Sequence, residues 1–231
     1  MFNYFIWNGV NSLDERILCS NPDVTIPQRD AEKLTIPGRS GFLTVDNEAY
    51  QPIVKTLECR LTDNSRIDNI AKWLDGGGKI IFSAEPDKYY RAVVNRAIPI
   101  RYMLERYRAF AISFDCQPFK YSVNYENDFL SLTQSNFTFY GKGTFQAEPI
   151  ITVYGSGNIS LNINGKVINL TGVSGKITIN SEIMDAYRDN MNQNMNMVGD
   201  FPLLNANNEV NNIAWAGNVS KVEIIPNWRW L

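Results

Sequence analysis

Histidine is absent from all 231 residues. That excludes Ser-His-Asp and Cys-His catalysis and removes most zinc and non-haem iron sites. Cysteine is scarce: Cys19, Cys59 and Cys116 are an odd number at wide spacing, without a CxxC. Neither a zinc knuckle nor a redox motif is present, and the three read as reduced thiols of a cytosolically made protein. No charge excess exists either. Lys+Arg number 22 against 24 Asp+Glu, a net charge of −2, which opposes tight binding of nucleic acid through counterion release. No stretch approaches about 18 uninterrupted apolar residues, so no membrane insertion is expected. The opening MFNYFIWNGVNSLDE lacks the basic and apolar regions of a signal peptide.

Hydrophobic residues make up 44% of the chain and charged residues 20%, enough for real cores and no case for disorder. Composition shifts near residue 120. Residues 1–120 hold 16 of the 22 Lys+Arg and 15 of the 24 Asp+Glu, whereas 19 of the 27 asparagines follow Tyr121. Two domains are expected, 1–130 and 131–231, with a linker candidate from Glu126 to Gly143. Asn-x-Ser/Thr triplets at Asn136, Asn158, Asn169 and Asn218 are chance matches in so asparagine-rich a chain.

The first part reads as β-rich with one helix. A strand from Phe2 to Trp7 ends at Asn8-Gly9. Residues 20–41, punctuated by Pro22, Pro27 and Pro37, read as an extended arm or edge segment, because proline has no N–H for a sheet ladder. Ile53–Leu61 is a strand. From Asn64 to Asp75, Ile67, Ile70, Ala71 and Leu74 recur at helical spacing after a cap at Asp63 or Asn64, and Gly76-Gly77-Gly78 stops the helix. Strands are expected at Lys79–Ser83, Tyr90–Ile100 and Tyr107–Phe119, the last two paired antiparallel. The second part reads as short antiparallel strands: Ile150–Tyr154, a Ser160–Leu170 hairpin turning at Asn164-Gly165, Lys176–Ile179, Asn212–Trp215 and Val219–Ile225.

Candidate chemistry is thin. Gly76-Gly-Gly-Lys79 follows a helix and lacks the Ser/Thr of a phosphate loop, so it reads as a helix stop. Gly155-Ser-Gly157 lacks a following helix and reads as a turn between strands. Glu126/Asp128, Glu182/Asp185 and Asp14/Glu15 sit in polar contexts that single out no acid pair. Met184, Met191, Met195 and Met197 read as a flexible loop with an apolar underside rather than a thioether metal site. Trp215, Trp228 and Trp230 read as core or interface anchors, with a saccharide platform as the alternative.

Several stretches together resemble the distal tail proteins of long-tailed phages and prophages of Gram-positive bacteria. They are Phe2-Asn-Tyr-Phe-Ile-Trp-Asn-Gly9, Ile26-Pro-Gln-Arg29, Leu34-Thr-Ile-Pro-Gly-Arg-Ser-Gly41, and Trp73-Leu74 before the glycines. Phe114-Asp-Cys-Gln-Pro-Phe119, Ala147-Glu-Pro149, Ile177–Glu182, Gly199-Asp-Phe-Pro-Leu203 and Pro226-Asn-Trp-Arg-Trp-Leu231 continue the series to the end. Asn180 and Asn207-Asn208 depart from the family pattern at turn-like positions.

The resemblance implies a mainly β fold with one helix: an N-terminal tail-tube-like β-sandwich plus α-helix, then a C-terminal galectin-like or jelly-roll β-sandwich. It implies a non-enzymatic virion protein at the tail tip, made in the host cytoplasm and needing no cofactor or metal. Six copies would form a homohexameric hub ring joining the major tail-tube protein to the tail-tip protein, with tape-measure and receptor-binding proteins as further partners. DNA would pass through the bore without specific binding. The arm supplies the candidate subunit-interface residues Pro27, Arg29, Ile36, Pro37, Gly38 and Arg39. The alternative function is a carbohydrate-binding adhesion module recognising cell-wall saccharide.

Overall fold

A computed structural model describes residues 3–63, 67–94, 98, 101–102, 108–124 and 128–231. The chain divides into two compact units, Met1–Lys120 with Leu231, and Tyr121–Trp230.

The first unit contains β1 (Phe5–Trp7), β2 (Val10–Asn11), β3 (Ile17–Cys19), β4 (Arg29–Leu34), β5 (Leu43–Tyr50), β6 (Ile53–Leu61), α1 (Ile67–Trp73), β7 (Gly76–Phe82), β8 (Lys88–Val94), β9 (Arg101–Tyr102) and most of β10 (Arg108–Ser122). Its main sheet runs β2-β1-β7-β8-β10-β6-β3, with β9 beside β10. Strand β6 alternates buried and exposed residues along its whole length, placing Ile53, Leu57, Cys59 and Leu61 in the core. In the ladder Phe110, Ile112 and Cys116 stand opposite Cys59, Leu57 and Ile53, and with Phe114, opposite Lys55, they bury the matching face of β10. Period-2 burial of this kind is what a half-covered sheet dictates.

Helix α1 has only seven residues, too few to persist by itself. Ile70 and Leu74 anchor it in the core, and the indoles of Trp7 and Trp73 each donate to the other residue's carbonyl, at 3.0 and 3.2 Å. Ala71, expected on the apolar face, is exposed, and Trp73 takes its place against the core. The proposed cap at Asn64 lies outside the described residues, as do residues 95–97, 99–100 and 107 of the two expected long strands. Gly76 does stop the helix, at φ +86°, but Gly76–Gly78 also open β7.

Residues 20–41 depart from the expectation of a single extended arm. Residues 20–28 carry no regular secondary structure, and β4 and β5 pair as a separate two-stranded antiparallel hairpin, Leu34 opposite Leu43 and Arg29 opposite Tyr50.

The second unit contains β11 (Leu130–Leu132), β12 (Phe137–Tyr140), β13 (Ile150–Ile163), β14 (Lys166–Asn180), β15 (Asp185–Arg188), β16 (Met191–Asn192), a 3-10 turn at Asn194–Asn196, β17 (Met197–Val198), β18 (Val210–Ile225) and β19 (Arg229–Trp230). Sheet order is β11-β18-β13-β14-β15-β16, with β12 on β18 and β17 on β14. The short strands expected from the sequence merge into three long ones. Gly155-Ser-Gly157 is not a turn: it lies inside β13, opposite Gly175, Ser174 and Val173 of β14, where the register shifts. Glycine at such points lets a long strand bend through a bulge without ending it. Asn164-Gly165 does turn the chain back, at φ +52° and +85°, the two positive values a type I′ hairpin needs. Ile151, Val153, Leu161, Ile163, Ile168, Leu170, Ile177, Ile179 and Ile213 fill the core between the curled layers.

Candidate functional site: the exposed arm of the first unit

The arm begins on firm ground. The Ser20 amide donates to the Glu58 carbonyl at 2.9 Å, and Ser83 Oγ bonds Asn21 Oδ1 at 2.9 Å. Lys55, 5% exposed, reaches across to donate its ammonium to the Asp23 carbonyl at 2.7 Å, with Tyr90 beneath it at 5.8 Å. Desolvation at this site pulls the lysine below its usual range. The far end closes with the Gln51 amide on the Gln28 carbonyl at 2.8 Å. Between these pins, Pro27 is buried while Val24 and Ile26 are 97% and 82% exposed.

The hairpin then leaves through a polar joint. Arg29 forks onto Asp46, Nε at 2.8 Å and the guanidinium at 2.7 Å, and donates to the Tyr50 hydroxyl at 3.1 Å. Tyr50 meets Phe119 edge-on at 5.8 Å. Asp30 accepts from Asn47 and Gln51, and the Glu48 amide donates to Asp46. The Arg29 bonds hold the Asp46 carboxyl below its ordinary range. A forked arginine with several partners fixes geometry better than an isolated surface pair.

Beyond the joint, residues 31–49 are exposed on both faces. Leu34, Glu32, Leu43 and Val45 share one face by the register, and Phe42 lies under Lys33 at 4.8 Å. At the tip the Arg39 amide donates to the Ile36 carbonyl at 3.1 Å around Pro37 and Gly38, with Gly38 at φ +80°. Proline then glycine at the two central positions is the type II turn pattern. A free two-stranded hairpin is marginal in water, and this one also exposes Leu34, Ile36, Phe42 and Leu43. The arrangement is suited to being covered by another protein surface.

The six arm residues singled out from sequence therefore separate. Ile36, Pro37, Gly38 and Arg39 form the exposed tip turn. Arg29 works inside the joint, and Pro27 is packed at the root. The sequence reading missed Val24, Ile26, Phe42 and Leu43, whose only signal was apolar residues amid turn-formers. In the second unit Trp228 lies in the core at 3% exposure, and Trp215 and Trp230 pack partly buried against it. Among the described residues no group of three or more Cys, Asp or Glu could hold a metal ion. Glu126 of one acid pair lies outside them. Met184, Met191 and Met195 are exposed around β15–β16, and Met197 packs against the core.

Residues 7–116, just under half of the chain, match the family model described as phage tail protein RIFT-related domain. No curated protein matches the chain by sequence. Among solved structures, the SPP1 Dit protein, described as a paradigm of the hub adsorption apparatus in phages infecting Gram-positive bacteria, aligns over 100% of both chains. Its TM-score is 0.77 and its identity 16%. Chains of the phage p2 baseplate in its activated conformation align over 97% of both chains at 8% identity, with TM-scores of 0.53 in the Sr form and 0.50 in the Ca form. The resemblance to distal tail proteins read from the sequence stands, and the shared fold runs from end to end.

Proposed function

We propose that this chain is a structural component of a phage tail, a hub ring of six copies that joins the tail tube to the baseplate or tail-tip protein and leaves a bore for DNA. The observation that carries this reading is the full-length likeness to SPP1 Dit. In it the first unit, with its arm, makes the ring. A ring needs a head-to-tail interface that closes on itself. An arm locked at its base and apolar toward its tip supplies one side of such an interface. Tail-tube, tail-tip, tape-measure and receptor-binding proteins are the partners the reading names. No catalytic step, cofactor or metal enters it, and the site of action is the virion tail.

The alternative of saccharide recognition by the second unit loses Trp228 as a stacking ring, because it is packed, and keeps only the partly buried Trp215 and Trp230 of its three candidates. Light scattering and negative-stain imaging of the purified protein, alone and with the neighbouring tail-tip protein, test the proposal. Closed rings of about sixfold the 26.3 kDa chain mass are expected. Replacing residues 34–43 by a short glycine-rich turn should abolish rings and leave the melting of the sheet unchanged. A monomer under every condition would overturn the reading.

A further inference from the structure

Cys19 and Cys59 stand directly opposite one another on β3 and β6. The main-chain bonds decide what kind of pair they form. Ser20 donates to the Glu58 carbonyl at 2.9 Å, and Thr62 donates to the Arg16 carbonyl at 3.0 Å. In an antiparallel ladder, bonded and non-bonded pairs alternate. Arg16–Thr62 and Ser20–Glu58 are bonded pairs two steps either side of Leu18–Arg60, so Cys19–Cys59 falls on a non-bonded pair. Such pairs bring Cα atoms to about 4.5 Å with both side chains on one face. A disulfide spans Cα separations of roughly 4.4–6.8 Å.

The core agrees with this placement. Cys59 is a 2% exposed member of the first unit's cluster, and half-exposed Cys19 packs against the same cluster. Both are thiols in this structure, Cys19 Sγ donating to the Asn3 carbonyl at 3.6 Å and Cys59 Sγ to the Leu57 carbonyl at 3.7 Å. Burial raises both thiols above their ordinary range, so neither is a fast nucleophile at neutral pH. Cys116 lies opposite Ile53 on β6 and has no cysteine across from it.

We propose that Cys19 and Cys59 are a latent cross-strand disulfide, closed by exchange with a small-molecule disulfide such as oxidised glutathione. The Cys19 thiolate, on the accessible edge strand, attacks one sulfur of the small disulfide and expels one thiolate. The Cys59 thiolate then attacks Cys19 Sγ in the mixed disulfide. The Cys19–Cys59 bond forms and the second small thiolate leaves. The protein loses two protons and two electrons, and one small disulfide becomes two thiols. The loop so closed, residues 20–58, holds residues 20–28 and the whole hairpin. Oxidation outside a reducing compartment thus staples the two roots of the arm together. That the staple also strengthens the ring rests on the function proposed above; the bond itself does not.

The test is peptide mapping under non-reducing conditions after incubating the full-length protein with a series of oxidised and reduced glutathione at mildly alkaline pH. The expected product is a Cys19–Cys59 linked peptide with loss of two hydrogens, accompanied by slower amide exchange over residues 20–28. Cys59→Ser should trap a glutathione adduct on Cys19, and Cys116→Ser should leave the link intact. Cys19→Ala, at the sheet edge, serves if Cys59→Ser folds poorly, and should show no link and no adduct at Cys59. A wild-type protein that stays a Cys19 adduct, or stays fully reduced at every glutathione ratio, overturns the proposal. Ring formation is scored separately on the oxidised and reduced protein, so a failed ring with an intact link counts against the hub reading alone.

Discussion

Asparagine carries much of the conformational work of the chain at the scale of single residues. Asn8, Asn136, Asn164, Asn207, Asn208 and Asn227 all take positive φ, a region that short polar side chains tolerate better than most. Asn211 does something different. It is fully buried, and its Oδ1 accepts from Asn164 Nδ2 at 2.9 Å and the Asn205 amide at 2.8 Å while its Nδ2 donates to the Asn205 carbonyl at 3.1 Å. Asn211→Leu removes these partners together and should cost about 2–4 kcal/mol, measured by thermal or urea unfolding. Composition alone showed the asparagine excess, but a buried network depends on partners remote in sequence. Asp46 gives a pH prediction. Its folded carboxyl lies below the ordinary value of 3.8 because Arg29 holds the charged form. Its contribution is therefore fully present above pH 3.8 and is lost as pH falls through the lower folded value. Amide protection over residues 43–50, taken relative to the intrinsic exchange rate at each pH, should fall a few-fold on acidification below about pH 4, and in Asp46→Asn it should be low at all pH values with this step missing.

Elements follow the sequence most closely where one covered face imposes alternation that no glycine interrupts. The bounds of β6 and the alternation of β10 were legible, because burial on one side imposes period 2. The β4–β5 hairpin was not. Its Arg29-Asp-Ala-Glu-Lys-Leu34 strand is exposed except at half-buried Asp30, so no alternation marks it, and the nearby prolines argue for an irregular arm. The long strands of the second unit were hidden by glycines that signal turns locally but serve as bulges here. Gly155 shows why one is required: a Cβ there would stand 2.3 Å from the Asn218 carbonyl oxygen, which is backbone and cannot swing away. Gly155→Ala should destabilise the chain by about 1–3 kcal/mol. Gly165→Asn, in open space at a turn asparagine tolerates, should shift the melting midpoint little. In the first unit Trp73→Phe keeps most of the packing against Phe5, whose ring stacks at 5.6 Å, but removes the indole donor to the Trp7 carbonyl. A loss of about 1–2 kcal/mol in denaturant unfolding is expected, smaller than for Trp73→Ala, where a cavity adds to the missing bond.

For the whole molecule, charge bears on the proposed bore more directly than any single residue does. Residues 1–120 carry 16 Lys+Arg and 15 Asp+Glu, a balance of +1, and the rest carry 6 and 9, a balance of −3; together these give the net −2. Six copies therefore total −12, with the deficit in the second unit and near-neutrality in the unit proposed to surround the DNA. A conduit of this kind neither holds phosphate through a dense basic lining nor expels it through a strong acidic one. Binding of short duplex DNA to the assembled ring, followed by fluorescence anisotropy across a salt series, should be undetectable at physiological ionic strength. At low salt the slope of log K against log salt should stay close to zero. A slope of several units would mean that many phosphates are neutralised at once, so that lysines and arginines scattered along the chain converge in the ring on one face. The hub reading could survive that result, but passage of DNA without grip could not.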